Sequence, residues 1–135
     1  MTFRLLPLAA LLASCATVPP PDKAPGSCPA MSTSNWRAWI NAMPGPQRPQ
    51  LIVTGDVTVP TGGYAMALRL GPTLRNEPPT QHVVLELTPP SGPATQAVTT
   101  REVRGSWPAL PRYGSVVIRC GGDLIAEISP VETAH

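Results

Sequence analysis

Residues 51–70, LIVTGDVTVPTGGYAMALRL, decide the fold class of this chain. Apolar side chains recur at every second position on both sides of a central PTGG turn, which is the pattern of half-buried β-strands. If Val59 pairs with Tyr64 across the turn, Val57 meets Met66 and every apolar residue falls on one face. The stretch therefore predicts a β-hairpin that turns one face toward a hydrophobic core.

Two further strands are predicted downstream. Residues 81–88 alternate cleanly, with an inward set of Val83, Leu85 and Leu87. Residues 95–107 are rich in Thr and Val but alternate poorly, which predicts an edge strand. Its inward set is Ala97, Val103 and Trp107.

The last pair of apolar runs, residues 116–120 and 124–128, predicts a second hairpin. A two-residue Gly121-Gly122 turn would put the two apolar sets on opposite faces. A three-residue loop pairs Cys120 with Leu124 and aligns them, so we expect that loop, with a glycine at positive φ.

Six strands with turn signals between them and no βαβ alternation predict an antiparallel β-sandwich. A seventh strand could come from residues 28–31. The layout over residues 50–128 loosely resembles immunoglobulin-like periplasmic modules. That resemblance rests on strand number and patterning and not on a signature motif.

One short helix is predicted before the strands, within residues 32–43. Ser, Thr and Asn offer N-caps, and Trp36, Ile40 and Met43 are spaced i, i+4, i+7, as on one helical face. The following Pro-Gly-Pro ends any helix. We expect this helix to cap the core with its tryptophans.

The N-terminus ends an apolar run with Leu12-Ala13-Ser14-Cys15, preceded by Arg4. This segment resembles the signal peptide and lipobox of bacterial lipoproteins. The resemblance implies lipid on Cys15 and cleavage before it. Because Ala16 and not Asp follows, it also implies the periplasmic face of the outer membrane, or the cell membrane in a Gram-positive host.

These observations divide the chain into four parts. Residues 1–14 are the signal peptide, and residues 15–27 are the lipidated cysteine with a Pro-rich tether. Residues 28–130 form a single β-sandwich domain. Residues 131–135 are a disordered tail.

Lipid on Cys15 would leave Cys28 and Cys120 as a pair in an oxidising compartment, and we expect them to form a disulfide. Two free thiols or an intermolecular bond are the alternatives. Two cysteines without a neighbouring histidine do not make a zinc site, and the sequence indicates no other metal or cofactor.

Charge excludes one class of partner. The chain has ten Lys and Arg against eight Asp and Glu, and Arg4 would leave with the signal peptide. The remainder is close to neutral and lacks the basic footprint of nucleic-acid binders. Its expected attachments are the membrane, through the lipid on Cys15, and an envelope protein partner.

No catalytic motif stands out, so we expect a protein that is not an enzyme. The two histidines are His82, which points outward on a strand, and His135, the last residue. Asp56 and Glu86 are the acids predicted to share a polar face, and we expect them to be solvated surface charges. No nucleophile elbow and no phosphate-binding glycine loop precedes a helix.

Three features are candidates for partner binding. They are a long loop with Arg75 and Glu77, a Pro-containing segment with Trp107 and Tyr113, and the predicted helix with Trp36 and Trp39. For the aromatic residues the alternative is a core or end-plug role. The sequence thus predicts a lipid-anchored, non-enzymatic assembly accessory or inhibitor. A structural lipoprotein without a discrete site is the alternative, and a hydrolase is third.

Overall fold

The structure, a computed structural model, describes residues 27–135, and within that range it is built from β-strands without a helix. The strands are β1 (Ser32–Asn41), β2 (Gln50–Val59), β3 (Ala65–Leu74), β4 (Thr80–Thr88), β5 (Thr99–Pro108), β6 (Ser115–Cys120), β7 (Asp123–Ile128) and β8 (Glu132–Ala134). Sheet 1 has the order β5-β2-β1-β8, and sheet 2 has the order β3-β4-β6-β7. The predicted signal peptide, Cys15 and the predicted tether up to residue 26 lie outside the described residues.

The two sheets pack through their apolar faces in a sandwich-like arrangement. Each central strand contributes every second side chain to the core, as the alternation predicts. The fully buried side chains are Leu51, Val53, Val57 and Val59 from β2, Val83 and Leu85 from β4, and Val116, Ile118 and Cys120 from β6. This shared core confirms a mainly β protein.

The predicted hairpin over residues 51–70 is wrong in its pairing. β2 pairs with β1 and β5 in sheet 1, whereas β3 pairs with β4 in sheet 2. The PTGG segment therefore crosses from one sheet to the other. Alternation specifies which face of a strand is buried, and both arrangements bury the same faces.

The predicted N-terminal helix is also wrong, because Ser32–Asn41 is strand β1. A β-bulge between Ser34 and Arg37 shifts the phase of the alternation, and Asn35 takes a φ of 55° there. After the bulge the inward side chains are Trp36, Ala38 and Ile40. Trp36 and Ile40 are four residues apart, a spacing that one face of a strand shares with one face of a helix. Met43 lies beyond β1 and is exposed.

The predicted strands over residues 81–88 and 95–107 are confirmed as β4 and β5, with changed bounds. Val83 and Leu85 are buried as predicted, and Leu87 is half-buried. β5 is an edge strand of sheet 1 that begins at Thr99, so Ala97 lies outside it and is exposed.

The β6–β7 hairpin is confirmed, but the residue that aligns its two apolar sets lies in a bulge and not in the turn. Val116 pairs with Ile128 as expected, whereas Cys120 pairs with Asp123 across a two-residue turn. A bulge between Ile118 and Arg119 then restores the predicted register. Gly121 has a φ of 60°, as the prediction of a left-handed glycine requires.

The prediction of wholly antiparallel sheets is wrong at two pairs. β4 runs parallel to β6, and β1 runs parallel to β8. The predicted disordered tail includes β8, which is an edge strand of sheet 1. Residues 28–31 do not form a strand, although Ser27 makes an isolated bridge to Gly121.

The disulfide between Cys28 and Cys120 is present. It ties the segment before β1 to the end of β6, and both cysteines are buried in the core. The Asp123 carboxylate supports this connection by accepting a hydrogen bond from the Cys28 N–H at 3.2 Å.

Candidate functional site

The six side chains predicted to bind a partner lie in three separate parts of the fold. Trp36 and Trp107 line the inner face of sheet 1, and Trp39 lies on its outer face. Tyr113, Glu77 and Arg75 belong to loops at one end of the sandwich. The structure therefore does not bring them together as one site.

Trp36 is part of the core. The bulge at Asn35 turns its indole inward, where it packs over Gly55 of the neighbouring strand. A Cβ on Gly55 would lie 2.3 Å from Trp36 Cε3, so the indole needs the space that glycine leaves. Its Nε1 has no hydrogen-bond partner among the described residues. Trp36 is half-buried and contributes to packing, as the core-capping interpretation predicts.

Trp107 occupies a similar position on β5. Its ring lies over Gly105, where a Cβ would approach Trp107 Cη2 to 2.2 Å. It pairs with Leu51 across the sheet and packs against the core from the edge strand. The structure supports the plug interpretation for Trp107.

Tyr113 fixes the loop between β5 and β6. The residue is 7% exposed, and its Oη accepts a hydrogen bond from the Leu110 N–H at 2.8 Å. Because both the ring and the hydroxyl are engaged inside the protein, this side chain is structural.

The loop before β4 packs against that same loop. Gly114 N–H donates to Pro79 O at 2.8 Å, and the hydroxyls of Thr80 and Ser115 lie 3.3 Å apart. Glu77 makes an exposed ion pair with Arg112. The two loops that the sequence singled out thus form one braced end of the sandwich. Arg75 is exposed there, with no hydrogen bond or ion pair to the described part of the chain.

The outer face of sheet 1 carries a different arrangement, which we call the arginine–tryptophan platform: Arg37, Trp39 and Arg104. The guanidinium carbons of Arg37 and Arg104 lie 5.6 Å and 5.8 Å from the Trp39 ring centroid. These are cation–π distances. Trp39, unlike Trp36, faces away from the core.

Strand register builds this platform. Arg37 and Arg104 both lie opposite Thr54, one on each side, and Trp39 lies opposite Ile52 in the next row. Ile52 and Thr54 are only 5% and 9% exposed although they point to the outer face. We attribute their burial to the long side chains of the platform, which lie across them.

Both guanidinium groups keep their donors free within residues 27–135. The nearest acids are Glu132, which lies opposite Trp39 on β8, and the pair Asp56 and Glu102 in the next row, and none of them makes an ion pair with Arg37 or Arg104. Asp56 instead accepts a hydrogen bond from Asn35 Nδ2 at 2.8 Å. Two arginine forks beside an aromatic ring suit a carboxylate next to an apolar side chain.

Sequence reasoning missed Arg37 and Arg104. Arg37 would share a face with Trp39 in any strand, so the helix prediction concealed it. Arg104 is distant in sequence and meets Trp39 only through the register of β1, β2 and β5. No pattern along the chain carries that information.

Outside the platform the polar groups make few clusters. His82 and Arg119 meet on the outer face of sheet 2, with Nε to Nδ1 at 3.3 Å. Asp56 and Glu86, predicted to share a polar face, lie on different sheets, which corrects that prediction. Among the described residues no three His, Cys, Asp or Glu side chains gather as a metal site would need.

Comparison with known protein families, characterised proteins and solved structures found no match to this chain. In the part of the chain that the structure describes, no helix is long and apolar enough to span a membrane.

Proposed function

We propose that this chain is a lipid-anchored, non-enzymatic protein of the cell envelope that binds a protein partner through the arginine–tryptophan platform. The anchor part rests on the lipobox Leu12-Ala13-Ser14-Cys15. The binding part rests on one observation, the unpaired guanidinium donors of Arg37 and Arg104 beside the Trp39 ring. Aromatic and arginine side chains carry much of the affinity at protein interfaces.

The chemistry of the platform suggests the chemistry of the partner. A partner surface with one or two carboxylates beside an apolar side chain would fit the two forks and the indole face. The braced end loops are a weaker candidate, because Tyr113 is engaged internally and Glu77 already has Arg112 as its partner.

The finer fold assignment, an immunoglobulin-like sandwich, is also part of the proposal. Tyr113 supports it, because a hydroxyl bonded to the backbone just upstream of a strand resembles the tyrosine corner of such domains. The parallel pairing of β4 with β6 departs from their wholly antiparallel sheets. We therefore limit the likeness to the general architecture.

Affinity capture tests the binding part. The tagged full-length chain is extracted from host membranes in mild detergent, and the captured proteins are identified and quantified. We expect a specific envelope protein whose recovery falls more than tenfold in Trp39→Ala and in Arg104→Ala. Arg75→Ala, a charge-matched control on the end loops, should recover it normally. Equal recovery by all variants would refute the platform as the binding site.

The anchor is tested separately. We expect Cys15→Ser to accumulate as an uncleaved precursor that no longer incorporates a labelled fatty acid. Normal membrane fractionation with normal labelling of that variant would contradict the lipoprotein assignment.

A further inference from the structure

The two ends of the sandwich differ in charge. At one end, which we call the entry end, β1, β3, β5 and β7 begin and β2, β4 and β6 end. Its connecting segments contain no Asp, Glu, Lys or Arg, and they are residues 27–31, 60–64, 89–98 and 121–122. At the opposite end, the connecting segments carry four such side chains, namely Arg48, Arg75, Glu77 and Arg112. The entry end is therefore the one that loses water at the lower cost in charge desolvation.

The entry end also exposes apolar side chains. Met31, Val98 and Leu124 are 58%, 61% and 56% exposed. The charged residues that lie within three positions of its connecting segments all have partners in the protein. They are Asp123 with Cys28 N–H, Arg119 with His82, Arg101 with Tyr64 O, and Glu86 with Arg69. Transfer of the three apolar side chains out of water is favourable, and no unpartnered charge close to them along the chain opposes it.

The chain enters the described part of the fold at this end. Ser27 makes its bridge to Gly121, and the disulfide fixes the next residue, Cys28, to Cys120. Residues 16–26 alone separate this point from Cys15, the proposed site of lipid. A short linker holds two surfaces at a high effective concentration, so a contact too weak to form between free molecules becomes populated. The membrane that carries the anchor is therefore the surface that the entry end meets.

We propose that the entry end rests on the lipid surface that holds the anchor, with Met31, Val98 and Leu124 inserted at the boundary between headgroups and acyl chains. This inference rests on the lipid anchor of the proposed function and adds the orientation of the domain on the membrane. Charged groups resist transfer toward the acyl chains, whereas apolar side chains favour it. The charged loops of the opposite end make that end unsuited to the same contact.

This orientation leaves the arginine–tryptophan platform free for a protein. β1 starts at the entry end, and Trp39 lies seven residues beyond its first residue, Ser32. At the rise of a strand this distance is about 20 Å. The platform therefore faces sideways above the headgroups, and the end loops with Arg75 lie further out.

Fluorescence quenching on the full-length chain, purified with its anchor and reconstituted into phospholipid vesicles, tests the proposal. A polarity-sensitive fluorophore is attached to Val98→Cys or, as the control, to Met43→Cys at the opposite end. The two positions are matched in exposure, at 61% and 60%. The quencher is a phospholipid that carries a nitroxide near its headgroup. We expect the emission at position 98 to fall at least twofold and the emission at position 43 to stay unchanged. Equal quenching at both positions would overturn the proposal.

A charge substitution separates docking from simple closeness to the tether. Leu124→Asp puts a carboxylate on the entry end, so the quenching of the label at position 98 should fall at least twofold. Leu74→Asp adds the same charge at an exposed leucine of the opposite end and should leave the quenching unchanged. Quenching that does not respond to Leu124→Asp would show that the tether alone brings the label close, and would overturn the proposal.

Mass spectrometry of the same preparations distinguishes the two proposals. Protein without acyl chains would refute the anchor and the docking together. Acylated protein with equal quenching at positions 98 and 43 would refute the docking and leave the anchor standing.

Discussion

Trp36 and Trp39 are three residues apart on one strand and lie in opposite environments. Trp36 packs inward on Gly55, in contact with the cluster that contains the disulfide. Trp39 lies outward beside two arginines. The inner tryptophan is fitted to a glycine of this chain, whereas the outer one is fitted to cations with unused donors. The comparison separates residues that hold the fold from residues available to a partner.

The largest effect is expected on the inner side. Replacing both Cys28 and Cys120 by serine should lower the free energy of unfolding by about 4–5 kcal/mol, because the bond closes a long loop in the unfolded chain. The sequence separation of the two cysteines is 92. Urea unfolding of the full-length chain, followed by circular dichroism, measures this. A loss below about 1 kcal/mol would show that the stability of the core does not depend on the disulfide.

A smaller but more local effect is expected at the glycine beneath Trp36. Gly55→Ala should cost about 1–3 kcal/mol, the usual range for overpacking, because its methyl group overlaps the indole. Gly45→Ala is the matched control, since a Cβ there meets nothing within 4 Å. The same urea titration compares the two. If both variants lose the same stability, the close fit of Trp36 to Gly55 is not what fixes β1.

The inner side was largely predictable from the sequence. Burial along β2, β4 and β6 follows from the two-residue period, because side chains alternate between faces in every strand. The pairing of Cys28 with Cys120 was the expected one if Cys15 carries lipid, because two cysteines then remain. Strand partners were less predictable, since β2 and β3 bury the same faces in one hairpin or in two sheets.

The arrangement on the outer face of sheet 1 was not predictable, and the reason is physical. The bulge at Asn35 leaves only a short regular alternation in β1, and the distance from Trp36 to Ile40 fits one face of a helix as well as one face of a strand. The platform also depends on Arg104, which reaches Trp39 only through the register of three strands. Local pattern carries no information on such contacts, because register is fixed by the whole sheet.

The smallest effect on stability is expected at Trp39 itself. Trp39→Ala should lower the free energy of unfolding by only about 1 kcal/mol, because the lost contacts are cation–π contacts and partial cover over Ile52 and Thr54. The same variant should lose the captured partner, whereas Gly55→Ala should retain it once folded. Urea unfolding and capture from membrane extracts, performed on both variants, make the comparison. If Trp39→Ala costs as much stability as Gly55→Ala and leaves capture unchanged, the platform is a stabilising cover on sheet 1 and the two tryptophans do not differ in role.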